Sequence, residues 1–300
     1  MKTNSKKRTT PKTDIKKSPE ISHVKGFSNS GVEWDVFNGD ALKVLKKIPD
    51  NSFDCVITSP PYFWLRDYGV DGQIGLEESV NDYISKIVKI MAEVYRTLKP
   101  KGVLFLNIGD TYYSGKGESQ GIDRKHSGRR FGLRAVDKSG GLGMGLKPKT
   151  IIGIPWRIAN VMISKGWILR SPIIWNRKAA LPEAVKDRPS RTYEFVFMFV
   201  KDRKYFFNRE ALINLGEEDM WTIVARPKSN NGLGTAPFPD ELVRRCISVG
   251  CPPKGKILDP FMGSGTTLRV AVQQGHSATG IDIHPKFCEY TISQLNQILL

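Results

Sequence analysis

The chain has 300 residues, of which 40% are hydrophobic and 25% charged, with a formal net charge of +16 at pH 7. That length and apolar content suit one sizeable α/β domain carrying a modest insertion. The longest apolar run, Tyr193 to Val200, is interrupted only by Glu194 and is far too short to cross a bilayer, so no membrane partner is expected.

Residues 1–26 hold eight Lys/Arg against Asp14 and Glu20, without periodicity, and read as a basic disordered tail ahead of a single domain over 27–300. Chain order then gives a strand at 33–37, a helix at 41–47, a strand at 53–58 and a helix at 80–98. On that last helix Tyr83, Ile87, Ile90, Met91, Val94 and Leu98 share one face, and Lys99-Pro100-Lys101-Gly102 stops it. A strand at 101–108 leads into 111–149, a basic insertion with nine glycines and no hydrophobic period, expected to be a long functional loop. A helix at 154–165 follows, then two strands at 167–175 and 193–201 joined without a helix, which predicts an antiparallel pair at a sheet edge. After the segment 203–234 come a helix at 240–249, a strand at 255–259, a helix at 266–274, a strand at 278–282 and a helix at 285–298. Alternation of this kind implies a mostly parallel sheet covered by helices on both faces.

Two basic segments, the tail and the insertion, hold most of the excess charge, which fits a polyanionic partner because phosphate contacts dominate nucleic-acid affinity. A solubilising tail is the alternative that charge alone leaves open. The cysteines Cys55, Cys246, Cys251 and Cys288 form no C-x-x-C pair, and the four histidines have no finger or H-E-x-x-H spacing, so no metal site is expected. No apolar stretch ahead of Val32 could serve as a secretory signal, and a reduced cytoplasm is the expected location.

Near the C-terminus, Lys256-Ile-Leu-Asp259-Pro-Phe261-Met-Gly263-Ser-Gly265-Thr266-Thr267 reads as a strand, a glycine turn and a helix start. Such a turn brings backbone N–H groups and a helix N-terminus close to a ligand. The lysine of a phosphate-cradling loop is missing after Gly265, and the third small residue of a dinucleotide fingerprint is Leu268. S-adenosylmethionine, which carries no phosphate, is the ligand left; an ordinary strand–turn–helix with a capping Asp and no ligand is the alternative. Asp282, ending the next strand, supplies a carboxylate able to accept from two ribose hydroxyls.

The other chemical segment is Thr58-Ser59-Pro60-Pro61-Tyr62, at the end of the apolar strand 53–58. Two prolines fix the backbone and remove two donors, so the strand end offers acceptors: carbonyls and the Ser59 hydroxyl. Accepting from an exocyclic amine localises its lone pair and stabilises positive charge developing on nitrogen. Tyr62 offers a ring face for a base taken out of the stack. A rigid turn or a polyproline ligand is the alternative, disfavoured by its position after an apolar strand.

Together these two segments resemble the amino-methylating DNA methyltransferases, with the catalytic segment N-terminal and the cofactor loop C-terminal as in the β permutation class. The resemblance implies a Rossmann-like S-adenosylmethionine-dependent methyltransferase fold: a seven-stranded, mostly parallel sheet with an antiparallel edge strand. It implies catalytic roles for Ser59, Pro60, Pro61 and Tyr62. It also implies cofactor contacts from Asp40, Thr58, Pro237, Phe238, Asp259, Phe261, Gly263, Gly265, Thr266 and Asp282. Asp40, in Asn38-Gly39-Asp40, matches the adenine-binding position and can equally cap the helix after it. Thr235 stands where many relatives have histidine. Serine at position 59 favours cytosine N4 over adenine N6. A C5 mechanism is disfavoured because no Pro-Cys dipeptide is present. Expected partners are double-stranded DNA and a cognate restriction endonuclease, with the chain a monomer or homodimer. Candidate DNA contacts are Arg124, Lys125, Arg129, Arg130 and Arg134 in the insertion, and Arg203 and Arg226 in 203–234, the usual target-recognition position. Arg66 and Asp67 are candidates for ordering a loop around the flipped base or for a surface ion pair, and Trp175-Asn176-Arg177 for the pocket mouth, with core packing the alternative for Trp175. A non-catalytic nucleic-acid-binding protein of the same fold is the reading from another class.

Overall fold

The computed structural model describes residues 20–113, 145–178, 185–224 and 237–298. Among them a single nine-stranded sheet runs in the order β1-β2-β9-β8-β3-β4-β6-β5-β7. The strands are β1 (Ser22–Phe27), β2 (Glu33–Asn38), β3 (Phe53–Thr58), β4 (Leu98–Ile108), β5 (Ile168–Asn176), β6 (Tyr193–Val200), β7 (Met220–Thr222), β8 (Ile257–Asp259) and β9 (Ala278–Asp282). Seven helices accompany them: α1 (Ala41–Leu45), α2 (Val80–Thr97), α3 (Ile154–Ser164), α4 (Arg209–Leu215), α5 (Asp240–Gly250), α6 (Thr266–Gln273) and α7 (Pro285–Leu295).

Strand periodicity sorts the core into two layers. Val56, Leu104, Leu106, Phe197 and Phe199 point to one face, where α1, α2 and α3 pack. Their alternates Cys55, Ile57, Val103, Phe105, Val196 and Met198 point to the other, under α4, α5, α6 and α7. Alternation with both sets buried is what strands sandwiched between helix layers require. Ser79 caps α2 by accepting from the Asp82 backbone N–H at 3.0 Å, and nine residues of that helix are buried against the sheet.

All seven expected strands are present, and two more extend the sheet. Ser22–Phe27, placed by sequence in the basic tail, pairs antiparallel with β2. It is exposed along almost its whole length, so no buried period marks it. The three-residue β7 lies parallel to β5 at the far edge. The pair β5–β6 is antiparallel as expected but is not the edge; β6 is the reversed strand, antiparallel to both β4 and β5. β4 also begins at Leu98, three residues early, and carries Pro100 past an irregularity in its pairing with β3, a place where a proline costs no ladder bond.

The crossovers diverge at β3 and β8. From β3 the chain moves through α2 to β4 on one side, and from β8 through α6 to β9 on the other. The carboxyl ends of β3 and β8 therefore flank a topological switch point, where open α/β sheets form their binding crevice.

Candidate active site

At the switch point the two chemical segments, two hundred residues apart in sequence, are tied together by one side chain. Asp259, 1% exposed, accepts from Thr58 Oγ1 at 2.7 Å and from the Phe261 backbone N–H at 3.0 Å on one oxygen. Its other oxygen accepts from Thr267 Oγ1 at 2.7 Å. Burial lifts its carboxyl to about 6, the three donors opposing the shift. With both oxygens so occupied, Asp259 joins β3 to the glycine loop rather than facing a ligand. Gly265, the N-cap of α6, adopts φ +76°, and a Cβ there would lie 2.4 Å from Thr291 Cγ2 on α7, so only glycine lets the loop close this tightly.

Asp282 lies across the loop. Its carboxylate accepts from the backbone N–H groups of Gly263 at 2.9 Å and His284 at 2.8 Å. Burial lifts it to about 7 in spite of those donors. Its carbonyl accepts from Asn38 Nδ2 at 3.0 Å and Gly39 N–H at 2.9 Å, drawing Asn38-Gly39-Asp40 into the same corner. Asp40 caps α1 by accepting from the Lys43 N–H at 2.9 Å. Tyr68, on the loop after the catalytic segment, packs edge-on against Phe287 at 6.1 Å, and Phe287 stacks on His284 at 4.5 Å. A corner lined by the carboxyls of Asp40 and Asp282, whose loop 259–267 has no lysine or arginine, repels phosphate. It suits a cationic ligand bearing hydroxyl donors, which fits the sulfonium and ribose of S-adenosylmethionine.

On the β3 side Ser59 is half-buried and Pro60 buried. The Pro61 carbonyl accepts from Tyr83 Oη at 2.8 Å and the Tyr62 carbonyl from the Leu65 N–H at 3.2 Å. The carbonyls of Ser59 and Pro60 accept no hydrogen bond from the described residues. The Tyr62 ring packs on Gly109, where a Cβ would come within 2.6 Å of it. Its hydroxyl donates to Glu194 Oε2 at 2.6 Å, and Ser59 Oγ donates toward the Tyr62 oxygen at 3.4 Å. Burial, then the Glu194 charge, pushes the Tyr62 hydroxyl well above its ordinary range, so it stays protonated. Glu194 is held in turn by Arg177 Nη1 on Oε1 at 3.0 Å and by Asn107 Nδ2 on Oε2 at 3.3 Å. Arg177 also donates to the Arg191 carbonyl at 2.9 Å, and Arg191 to that of Asp110.

Residues 53–293 match the model of the N6_N4_Mtase family, described as DNA methylase. The chain belongs to this family. Among curated relatives of the N6_N4_Mtase chain, Type II methyltransferase M.Cfr9I of Citrobacter freundii is 41% identical over 269 residues, 87% of each chain. Type II methyltransferase M.SmaI of Serratia marcescens is 40% identical over 258 residues, 83% of this chain and 86% of its own. Two solved structures share the fold. The PvuII DNA methyltransferase (cytosine-N4-specific) superposes with a TM-score of 0.67 at 19% identity, covering 89% of this chain and 88% of its own. A DNA modification methylase of Thermus thermophilus, TTHA0409, complexed with S-adenosyl-L-methionine, gives 0.59 at 23%, covering 86% and 92%.

Within this family fold, Thr58, Ser59, Pro60, Pro61 and Tyr62 gather beside Asp259, Phe261, Gly263, Gly265 and Thr266, with Asp40 and Asp282 adjoining. Pro237 and Phe238 lead into α5, and Phe238 packs on the core of the α5–α6 face. Arg203 is not gathered with them: it lies on the opposite rim. Because β6 is reversed, Val200 sits beside Val103 near the start of β4, and the chain after it turns back to donate from Phe206 N–H to the Lys101 carbonyl. The described part of 203–234 builds α4 and β7, with Trp221 fully buried in the core. Arg124, Lys125, Arg129, Arg130, Arg134 and Arg226 lie outside the described residues. Trp175 is core, donating from Nε1 to the Ile223 carbonyl at 2.9 Å. Asp67 closes a turn by accepting from the Gly69 N–H at 2.9 Å. Sequence reasoning did not assign Asn107 or Glu194 to the site. The available signal was that each is a lone polar side chain in an apolar strand.

Proposed function

We propose that this chain transfers a methyl group from S-adenosylmethionine to the exocyclic N4 of cytosine in duplex DNA, on a base flipped out of the helix, alongside a cognate restriction endonuclease. The observation that carries the reading is the fixed turn of Ser59 and Pro60 at the end of β3, joined through Asp259 to the glycine loop. When bound, the cofactor supplies a methyl group already activated on sulfur. Asp282 accepts from the ribose, Asp40 from the adenine, and the backbone of Phe261, Gly263, Gly265 and Thr266 lines the approach, with Pro237 and Phe238 flanking it. Ser59 Oγ and the Pro60 carbonyl accept from the amine's two N–H groups, pointing its lone pair out of the ring plane and stabilising positive charge on nitrogen. Tyr62 stacks on the base.

Serine at position 59 favours cytosine. The names of M.Cfr9I and M.SmaI, Type II methyltransferases, support a restriction–modification setting. Arg124, Lys125, Arg129, Arg130, Arg134 and Arg226 are proposed DNA contacts. Incubating unmodified DNA with the protein and S-adenosylmethionine, then analysing nucleosides by mass spectrometry, tests the reading. N4-methylcytosine is the expected product, and N6-methyladenine alone would replace cytosine with adenine as the target.

A further inference from the structure

The hydroxyls of Ser59 and Tyr62 and the carboxylate of Glu194 lie in series. Ser59 Oγ points at the Tyr62 oxygen at 3.4 Å, and the Tyr62 hydroxyl has two acceptors, Glu194 Oε2 at 2.6 Å and Asn107 Oδ1 at 3.2 Å, of which the nearer and charged one is preferred. Among the described residues, Tyr62 from the catalytic turn, Asn107 from β4 and Arg177 just after β5 are the polar side chains that bond to Glu194. The Glu194 side chain is only 12% exposed in a strand that is otherwise apolar from Phe195 to Val200. A carboxylate there is costly unless paired, and the fold supplies its partners at the one point where they also reach the catalytic turn.

We propose that Glu194 is a positioning residue for methyl transfer: it orients the Tyr62 hydroxyl, and through it the Ser59 hydroxyl, and receives the proton that the reaction releases. The inference rests on the methyl-transfer reading above. With the Ser59 hydroxyl turned toward the Tyr62 oxygen, the lone pairs of Ser59 Oγ are left for the amine. As the nitrogen–carbon bond forms, the carbon–sulfur bond breaks with its electron pair staying on sulfur, and the amine nitrogen becomes cationic. Its surplus proton moves to Ser59 Oγ, the Ser59 proton to the Tyr62 oxygen, and the Tyr62 proton to Glu194 Oε2. Both hydroxyls end as they began, and the neutral Glu194 later returns its proton to water. Tyr62 relays without ionising, as its raised hydroxyl requires. A cationic nitrogen attached to the base ring is a stronger acid than a carboxylic acid, so the transfer runs downhill.

Two variants test this. E194Q keeps an amide oxygen for Tyr62 but takes no proton, and Y62F keeps the ring but breaks the chain. The probes are tritiated S-adenosylmethionine and unmodified plasmid DNA, with cofactor affinity measured by calorimetry. Each variant is expected to lower kcat about 100-fold, while KM for DNA and Kd for the cofactor change by less than about threefold. The double variant is expected to be no slower than the slower single one, because both interrupt the same path. Wild-type kcat in E194Q, a loss confined to KM or cofactor affinity, or losses that multiply would overturn the proposal. If E194Q does not fold, Y62F decides alone, and a kcat within about threefold of wild type overturns the proposal. A wild-type protein that methylates no DNA would instead remove the reading on which the proposal rests.

Discussion

Asp282 changes charge close to neutrality, and that gives the cofactor corner a pH dependence of predictable sign. Burial lifts its carboxyl to about 7, the opposing N–H bonds from His284 and Gly263 notwithstanding. Since an unfolded aspartate titrates near 3.9, the fold holds this proton more tightly than the unfolded chain does. The empty protein therefore loses stability as pH rises from about 4 to about 7. A ligand that brings hydroxyl donors and a positive charge needs the carboxylate, so its affinity runs the other way and grows through the same upper range. Titration calorimetry is expected to show S-adenosylmethionine binding about tenfold more tightly at about pH 8 than at about pH 6, with proton release in between. D282N should bind weakly with no such slope. A wild-type affinity that stays flat over this range would remove Asp282 from the binding role.

At the scale of elements, the loop between β8 and α6 is where sequence and geometry agree most closely. Gly265 combines φ +76° with a missing Cβ 2.4 Å from Thr291 Cγ2. Gly265→Ala adds a left-handed penalty of about 1–2 kcal/mol and an overpacking cost of about 1–3 kcal/mol. Its melting temperature should fall by several degrees, and T291A, which removes two of the three crowding atoms, should recover part of the loss. Equal stability of G265A and wild type would contradict the loop geometry. This loop was legible because its signals are local: a buried strand, a glycine turn and a helix start occupy consecutive residues. The same holds for Ser59–Tyr62 and for most of the sheet. β1 escaped because an exposed edge strand has no buried face to set a period, and β7 and α4 because three and seven residues are too few to show one. The pairings that make the site, Thr58 with Asp259 and Tyr62 with Glu194, span 201 and 132 residues. Nothing in a local pattern encodes them. The reversal of β6 has the same character, and it places Arg203 on the rim opposite the catalytic turn.

On the whole molecule, one rim of the sheet collects both the chemistry and the openings to the segments outside the described residues. The insertion after β4 leaves and returns through a short stem, the Tyr112–Ile151 bridge with Tyr113 and Thr150 paired at 2.9 Å. Residues 179–184 follow β5 and precede β6, and 225–236 follow β7, whose Thr222 lies beside Asn176. On this rim the described chain adds Lys147, Lys178 and Lys186, all exposed, beside Arg188, which stacks 3.9 Å over the Tyr112 ring. Arg203 is on the opposite rim, which makes it an internal control for where a polyanion docks. Each cation that neutralises a phosphate adds about 0.9 to the slope of log affinity against log salt. Replacing Lys147, Lys178 and Lys186 together by glutamine is therefore expected to lower that slope by about two to three, measured by fluorescence anisotropy on duplex DNA. R203Q should leave it unchanged, although it removes the same kind of charge from the same strongly basic chain. Equal losses per charge from the two rims, about 0.9 for R203Q, would mean that net charge alone, without orientation, draws the protein to DNA. A loss from the catalytic rim only would mean that the duplex is held where Ser59 and Tyr62 can reach a base turned out of it.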